Sequence, residues 1–332
     1  MIRENNVRKS RQSLRVTDSR PLAEGVYSLT LEYPAAAAPD SVQPGQFVGV
    51  FTGDPSALLM RPISVCEWDG DTGRLRLVYR AVGKGTRYFA GLRAGDAVDV
   101  LGVLGNGYDV AAMTGKRVLL LGGGIGAPPM LGLAKALRSA NYGIRTSSRG
   151  YAAGSPDGAK SEEPGTENAR DRSETDGKGM PLITSVMGYR TKDLFLTEEF
   201  AAAGRLIVAT DDGSVGYHGN AVDAARDLIH RECVAKPHRV ASEEAARGNA
   251  CKAEGFDIIC ACGPLPMLRA VKELARELDI PAYISLEERM ACGIGACLGC
   301  VVRTKDVDGH SHVHNARICT EGPVFPAEEV EI

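Results

Sequence analysis

The chain has 332 residues, of which 44% are hydrophobic and 24% charged, and its formal net charge is −3. This length suits two or three domains, and the composition is typical of a soluble globular protein. The small negative charge gives no support to a nucleic-acid or anionic-membrane surface. Because no apolar run approaches the ~20 residues that span a bilayer, and because the N-terminus lacks the apolar stretch of a signal peptide, we expect a cytoplasmic protein without membrane insertion.

The first part of the chain carries the signals of β structure. Residues 1 to about 13 are polar and basic and are expected to fray. Short segments rich in β-branched or apolar residues follow, with turn clusters and no helical period between them. These segments are 26–33, 46–52, 74–82 and 97–101. The pattern predicts a small antiparallel β-barrel over residues 14–112.

The pattern then changes to alternating strands and helices. The apolar run 117–121 is typical of a buried strand and leads into the glycine-rich turn 122–127 and a helix. A second strand at 256–262 is likewise followed by a turn and an amphipathic helix. This repetition predicts a Rossmann-like parallel α/β domain over residues 113–284.

Two polar stretches interrupt this domain. Residues from about 145 to 179 are dense in Ser, Gly, Glu, Asp and Lys, with almost no apolar residues. Such a composition buries too little surface to offset chain entropy, so we expect a mobile insertion. A second polar stretch, from about 232 to 254, is more compatible with helix and is expected to be peripheral.

The nine cysteines do not form the pattern of a disulfide framework, because their number is odd and their spacing uneven. Four of them follow the C-x4-C-x2-C…C spacing of plant-type [2Fe–2S] sites. Glycines among them let the loop wrap closely and point backbone N–H groups at sulfur. A four-cysteine zinc site is the alternative, although zinc prefers paired C-x2-C knuckles. The spacing predicts a [2Fe–2S] cluster in a small C-terminal domain, 285–332, with the ligands Cys292, Cys297, Cys300 and Cys319.

The turn at 122–127 matches G-x-G-x-x-A between a strand and a helix, which is the context in which this motif binds a pyrophosphate. Its glycines let the backbone approach the phosphates, and the helix N-terminus supplies N–H donors. The acidic residue expected about 20 positions further on is missing. A dinucleotide site and a tight strand–helix turn without a ligand therefore both remain open at this point.

Further motifs connect these features. Arg61-Pro62-Ile63-Ser64, Val78-Tyr79-Arg80 and Gly83-Lys84-Gly85-Thr86 closely resemble the flavin-binding motifs of the ferredoxin-reductase superfamily. Together with segments 122–129 and 285–302, they make the chain similar to the electron-transfer subunits of class 1B dihydroorotate dehydrogenases. The resemblance covers nearly everything except the N-terminus and the two polar stretches.

The resemblance implies a site for FAD. Arg61 would pair with the pyrophosphate, a role that suits its planar guanidinium, and Ser64 would hydrogen-bond the isoalloxazine edge. A surface turn is the alternative for both residues. The other expected FAD contacts are Pro62, Ile63, Val78, Tyr79, Arg80, Gly85 and Thr86.

The same resemblance implies an NAD(H) cleft over the flavin. A cysteine at the end of a strand usually serves packing, so a direct role near nicotinamide is the weaker expectation for Cys262. The choice between NADH and NADPH stays open, because the insertion at 145–179 falls near the expected adenosine-ribose contact. The residues expected to form the cleft are Gly123, Gly124, Gly126, Cys262, Gly263 and Pro264.

The resemblance also implies a function as an electron conduit. Flavin accepts two electrons as hydride and releases them singly, while the protein positions nicotinamide and tunes the potentials. An FMN-containing catalytic subunit would oxidise dihydroorotate to orotate in pyrimidine (UMP) biosynthesis. This chain would pass the electrons to NAD+, and the two kinds of subunit would form a heterotetramer. No catalytic residue for dihydroorotate is expected here. The rivals are a bifurcating ferredoxin–NADP reductase or sulfide dehydrogenase subunit, a stand-alone oxygenase reductase, and a non-enzymatic scaffold with structural zinc.

Overall fold

The computed structural model describes residues 10–148, 182–234, 255–307 and 312–332. Most of the two polar stretches predicted at 145–179 and 232–254 lies outside these residues. The described chain forms a closed six-stranded barrel, a seven-stranded sheet and a three-stranded sheet. The predicted combination of an antiparallel barrel, a parallel α/β sheet with helices and a small C-terminal unit is confirmed.

The N-terminal barrel is antiparallel throughout. Its strands are β1 (Arg11–Ala23), β2 (Val26–Glu32), β3 (Phe47–Val50), β4 (Arg61–Asp69), β5 (Arg74–Arg80) and β6 (Ala97–Leu104). Helix α1 (Lys84–Ala90) connects β5 to β6, and a 3-10 turn spans Ala35–Ala37. Around the barrel the strands follow the order β1-β2-β5-β4-β3-β6.

Strand β1 begins earlier than the sequence predicts. The expectation of fraying is wrong for residues 11–13, which pair with β6. Arg11 forms an ion pair with Asp99 on β6 at 2.7 Å, and Leu14 and Val16 are fully buried in the barrel. The polar composition of Arg11, Gln12 and Ser13 concealed this part of the strand, because the apolar inward positions of β1 begin only at Leu14.

The remaining strands belong to the α/β sheet and the C-terminal unit. They are β7 (Val118–Gly123), β8 (Ile183–Tyr189), β9 (Arg205–Thr210), β10 (Tyr217–His218), β11 (Ile258–Cys262), β12 (Ala282–Ser285), β13 (Val301–Thr304), β14 (Asn315–Arg317), β15 (Val324–Pro326) and β16 (Val330–Glu331). The large sheet has the order β10-β9-β8-β7-β11-β12-β15. All its pairings are parallel except that of β15 with β12.

Helices cover the large sheet. They are α2 (Val110–Met113), α3 (Ala127–Ser148), α4 (Thr197–Ala203), α5 (Ala221–Val234) and α6 (Leu265–Leu278). Strand β7 lies in the middle of the sheet with Leu119, Leu120 and Leu121 completely buried, as expected for a parallel strand covered on both faces. In the described part of the chain, no helix combines the length and the apolar character that crossing a membrane requires.

The C-terminal unit is tied to both other parts. Its small sheet has the order β14-β13-β16, while β15 joins the edge of the large sheet. The side chain of Asn106, just after β6, donates to the carbonyls of Thr320 and Glu321 at 3.0 Å each. The backbone N–H of Leu286 donates to the Pro323 carbonyl at 2.9 Å. The predicted boundary at residue 285 is therefore crossed by a strand pairing, and the three domain ranges remain predictions.

Candidate functional site

The motifs predicted to bind FAD meet at one end of the barrel. Residues 61–64 begin β4, and α1 begins four residues after the predicted contact Arg80. A Cβ atom built on Gly85 would lie 2.3 Å from Nε of Arg61. Since only glycine permits this approach, the guanidinium rests directly on the first turn of α1. Arg61, Gly85 and Thr86 thus form a cradle of basic and N–H groups, which suits a diphosphate.

The hydroxyl of Thr86 has a structural task in this cradle. It accepts hydrogen bonds from the backbone N–H groups of Val82 at 3.0 Å and Gly83 at 3.1 Å. This cap closes the turn before α1. Lys84 forms an ion pair with Asp54 at 2.9 Å, and this hydrogen-bonded contact holds the pKa of Asp54 well below its ordinary value. The contact ties the loop before β4 to α1.

Alternation along β5 separates the three residues expected to line the flavin. The side chain of Tyr79 lies in the barrel core, where its ring packs edge-on against Phe89 with centroids 5.9 Å apart. Burial raises the pKa of Tyr79 above its ordinary value, and its Oη has no hydrogen-bond partner among the described residues. Val78 instead packs with residues of the α/β part, and Arg80 is exposed. The two-residue period of a strand would have given this division from the sequence.

The two turns predicted to form the NAD(H) cleft are adjacent. They follow β7 and β11, which pair in parallel with Cys262 opposite Gly122. A Cβ atom on Gly126 would lie 2.1 Å from the Cys262 carbonyl oxygen, and one on Gly123 would lie 3.0 Å from Cδ of Pro264. The backbones of the two turns are therefore in direct contact. From β7 the chain adds β8, β9 and β10 on one side and then returns to add β11 and β12 on the other, so the two turns lie at the point where the strand order reverses. Ligands of open α/β sheets bind at such switch points.

Cys262 itself is packed away. Its thiol is completely buried, and burial together with the nearby charge of Glu287 raises its pKa well above the ordinary value. Its neighbour Pro264 is exposed. The packing role that the sequence favoured for Cys262 agrees with this burial. Gly263 is buried as well, so the surface of this turn is left to Pro264.

The four predicted cluster cysteines lie in two pairs. The side chain of Cys292 is close to that of Cys297, and the side chain of Cys300 is close to that of Cys319. Within the part of the chain that the structure describes, no three His, Cys, Asp or Glu side chains are gathered closely enough to hold one metal ion. A [2Fe–2S] cluster takes four cysteine thiolates, and these two pairs supply the set of donors that the spacing predicts.

Backbone N–H groups of the cysteine loop point at sulfur. That of Cys297 donates to Sγ of Cys292, and that of Gly299 donates to Sγ of Cys297, each at 3.4 Å. Burial opposes ionisation of Cys292, but the backbone hydrogen bonds outweigh it and lower the pKa of its thiol to about 6. Burial and the contact with Cys300 raise the pKa of Cys319 to about 12. Positive φ angles of 69° and 85° at Gly293 and Gly295 allow the loop to wrap in this way.

One buried methionine, which sequence reasoning did not single out, connects the cysteine loop to the FAD motif. Met60 directly precedes Arg61 and is 3% exposed. A Cβ atom on Gly293 would lie 2.2 Å from Cε of Met60, and one on Gly49 would lie 2.2 Å from its Sδ. The flexible thioether fills the space between β3 and the loop. The cysteine loop therefore packs on the barrel beside the predicted flavin site.

Comparison with known proteins gives a consistent result along the chain. A family model described as the iron–sulfur cluster binding domain of dihydroorotate dehydrogenase B matches residues 287–331. The chain is 38% identical over 327 residues to the dihydroorotate dehydrogenase B (NAD(+)) electron transfer subunit of Bacillus caldolyticus, with 96% of this chain and 98% of the relative covered. It is 35% identical over 324 residues to the subunit of the same name from Bacillus cereus (strain AH187), with the same coverage.

Solved structures share the architecture. An NADH-dependent reduced ferredoxin–NADP oxidoreductase, studied for flavin-based electron bifurcation, has a TM-score of 0.67 and 26% identity, and the match covers 96% of this chain and 89% of that one. A ferredoxin–NADP+ reductase from Neisseria gonorrhoeae with bound FAD and NADP has a TM-score of 0.53 and 12% identity, with coverage of 84% and 94%. At that identity the second likeness concerns the fold alone.

Proposed function

Because the chain belongs to the family of dihydroorotate dehydrogenase B electron transfer subunits, we propose that it passes electrons from the FMN of a catalytic subunit through a [2Fe–2S] cluster and FAD to NAD+. The observation that carries this proposal is that the predicted sites for the cluster, FAD and NAD(H) lie next to one another. The cysteine loop packs through Met60 on the start of β4, and β5 lies against the glycine turn after β7. Bound flavin supplies the conversion between single electrons and hydride.

Each group of residues has its own task in this proposal. Arg61 and the first turn of α1, including Gly85 and Thr86, hold the FAD diphosphate. Ser64 and the outer face of β5 orient the flavin ring. The turns at 123–126 and 262–264 place nicotinamide above it, through backbone rather than through the buried thiol. The four cysteines Cys292, Cys297, Cys300 and Cys319 hold the cluster, and no residue of this chain acts on dihydroorotate.

These tasks divide the chain into the three predicted units. We assign FAD to the barrel at 14–112, NAD(H) to the α/β domain at 113–284, and the cluster to 285–332. The pairing of β15 with β12 means that the cluster unit is anchored in the nucleotide sheet. That anchoring supports a fixed geometry between the cluster and the other two sites.

A partner surface surrounds the cysteine loop. The subunit names of the relatives imply a catalytic partner, and three apolar side chains here are open to solvent: Ile294 at 45%, Leu298 at 64% and Val301 at 37% exposure. Exposed apolar side chains grouped on a folded domain are typical of a protein interface. We assign this surface to the FMN-containing catalytic subunit, in a heterotetramer.

A cytoplasmic location is part of the proposal. The cysteines whose side chains the structure describes are free thiols, and a reducing compartment keeps such thiols and cluster ligands available. The bifurcating-reductase alternative has less support, because the match to that structure is 26% identical whereas the dihydroorotate dehydrogenase subunits reach 38%.

The test is the visible spectrum of the freshly purified full chain before and after anaerobic addition of NADH. We expect flavin bands and broad cluster absorption, both bleached by NADH. In a second, oxidised sample to which the catalytic subunit has been added, dihydroorotate should bleach the same bands. A colourless protein that contains zinc would overturn the proposal, and bleaching by NADH without any response to dihydroorotate would favour another reductase of the superfamily.

A further inference from the structure

Four charged side chains join the barrel to the α/β domain. Glu67 lies on β4 and Arg76 on β5, whereas Lys135 lies on α3 and Glu199 on α4. Each carboxylate contacts both bases, so that the ion pairs close on themselves. We call these four side chains the interdomain charge ring. Their formal charges cancel.

Arg76 is held from three sides. Its Nη1 donates to Glu67 at 2.5 Å and to Glu199 at 2.8 Å, its Nη2 donates to the other oxygen of Glu199 at 3.1 Å, and its Nε donates to Oγ of Ser28 at 3.1 Å. The arginine side chain is only 13% exposed. A planar guanidinium that donates two hydrogen bonds to one carboxylate holds that carboxylate in one orientation. Arg76 therefore fixes α4 against β5.

Lys135 closes the ring on the other side. Its Nζ donates to Glu199 at 2.8 Å and to Glu67. Three residues earlier on the same helix, a Cβ atom on Gly132 would lie 2.5 Å from the Cys66 carbonyl oxygen. Helix α3 thus touches the backbone of β4 directly, and the ring holds it there.

The pKa values of Glu199, Arg76 and Lys135 are shifted in the direction that favours their charged forms. Partial burial acts against ionisation of Glu199, but hydrogen bonds from Arg76 and Lys135 outweigh it and lower the pKa of Glu199 below its ordinary value. The same balance raises the pKa of Arg76 and of Lys135. Attraction between such partly shielded charges is screened less than at an open surface.

The ring links the elements that carry the predicted cofactor contacts. Glu67 is on the strand of Arg61 and Ser64, Arg76 is on the strand of Val78, and α3 begins directly after the glycine turn. We propose that the interdomain charge ring is a positioning device, which sets the separation and angle between flavin and nicotinamide for hydride transfer. This inference rests on the proposed function.

Physical chemistry favours positioning over mere stability. Shielded ion pairs often contribute little net stability, because desolvation offsets their attraction, but they can select one arrangement. Hydride transfer is sensitive to such an arrangement, since a misplacement of ~1 Å can cost about 10²-fold in rate.

The experiment uses the full chain loaded with FAD and cluster, reduced by NADH in an anaerobic stopped-flow instrument, so that NADH is oxidised and flavin reduced. The variants are Glu199→Gln and Lys135→Met, with Arg76→Lys as the conservative change. The matched control is Glu277→Gln, which removes the exposed ion pair with Arg226 inside the α/β part. The readouts are the limiting rate of flavin reduction, the Kd for NADH, FAD content, and amide hydrogen exchange of β4 and α3 without added NADH.

We expect Glu199→Gln and Lys135→Met to lower the limiting rate by on the order of tenfold or more, with FAD content unchanged, and to speed exchange in β4 and α3. Arg76→Lys, which keeps the positive charge, should retain more of the parent's rate than these two variants do. Glu277→Gln should leave the rate and the exchange unchanged. Rates within twofold of the parent in both ring variants would overturn the proposal. So would equal losses in the control. If only one of these two variants loses FAD, the rate of the other variant tests the proposal by the same twofold limit. Loss of FAD in both variants would overturn the proposal, because it would show that the ring has only a structural role.

A parent chain that NADH does not bleach would instead contradict the proposed function. The exchange data would then still test whether the ring holds α3 against β4.

Discussion

At the scale of single residues, the two ends of the cysteine set differ in chemistry. Cys292 sits where several backbone N–H groups converge, whereas Cys319 is buried beside Cys300. Hydrogen bonds to a thiolate favour the charged form, and burial disfavours it. The loop is thus prepared to present one thiolate before any metal arrives.

This difference predicts unequal reactivity in the chain freed of cluster. The pKa of Cys292 is lowered to about 6 and that of Cys319 is raised to about 12, so at pH 7.5 Cys292 is largely thiolate whereas Cys319 is not. Iodoacetamide should label Cys292 before Cys319, with a rate that rises through pH 6 and then levels off. Mass spectrometry of timed digests measures the order. Labelling of Cys319 ahead of Cys292 would contradict the prediction, and buried Cys66 serves as the unreactive reference.

At the scale of elements, the turns after β7 and β11, to which we assign nicotinamide, are in direct contact. Gly126 approaches the Cys262 carbonyl so closely that no side chain fits between them. The glycine motif therefore serves packing between neighbouring turns, in addition to the access to a phosphate that we propose for it. Both purposes belong to the strand–turn–helix unit rather than to one residue.

Substitution Gly126→Ala should separate the two turns. The new Cβ would lie 2.1 Å from the Cys262 carbonyl oxygen, a distance that requires the backbone to shift. We expect the KM for NADH to rise by about tenfold or more, as a displaced backbone loses of the order of 1.4 kcal/mol of binding, while FAD content stays unchanged. Steady-state reduction of an artificial acceptor measures it.

The matched control is Gly70→Ala in the β4–β5 turn, where the nearest atom would lie at 3.4 Å. This variant should behave as the parent does. An unchanged KM in Gly126→Ala would show that the turn is not part of the nicotinamide site.

At the scale of the whole molecule, one group of exposed apolar side chains lies on the C-terminal unit, next to the cysteines. Leu298 combines 64% exposure with a positive φ of 55°, a conformation that leucine seldom adopts. Strained residues that also expose apolar surface cluster at functional sites. Because Leu298 lies between the predicted cluster ligands Cys297 and Cys300, it is suited to anchor the catalytic subunit that we propose.

Replacement Leu298→Ser should weaken the complex with that subunit. Truncating an interface anchor typically costs at least about 1 kcal/mol, so we expect Kd to rise by roughly fivefold or more, while reduction of flavin by NADH remains unchanged. Analytical ultracentrifugation or surface plasmon resonance measures the affinity. Val215→Ser is the control, because Val215 precedes β10 at the sheet edge opposite β15. Equal affinity in both variants would remove this surface from the interface.

The sequence alone determined the features whose chemistry is local. Ligand spacing predicted Cys292, Cys297 and Cys300 as cluster ligands, since a cluster constrains a short loop directly. Buried apolar runs predicted β7 and β11, and a glycine motif between strand and helix located the turn at 123–126. Each of these signals lies within a few neighbouring residues, and therefore the local sequence pattern is enough to reveal it.

Only the tertiary structure decided what depends on distant partners. Arg76 and Glu199 are 123 positions apart, and nothing near either residue indicates their contact. Strand β15 leaves the cluster unit to pair with β12, and Met60 meets the cysteine loop through the packing of Gly293. Such contacts form when whole elements bury their faces against each other, so their geometry resides in the packed fold rather than in any local pattern.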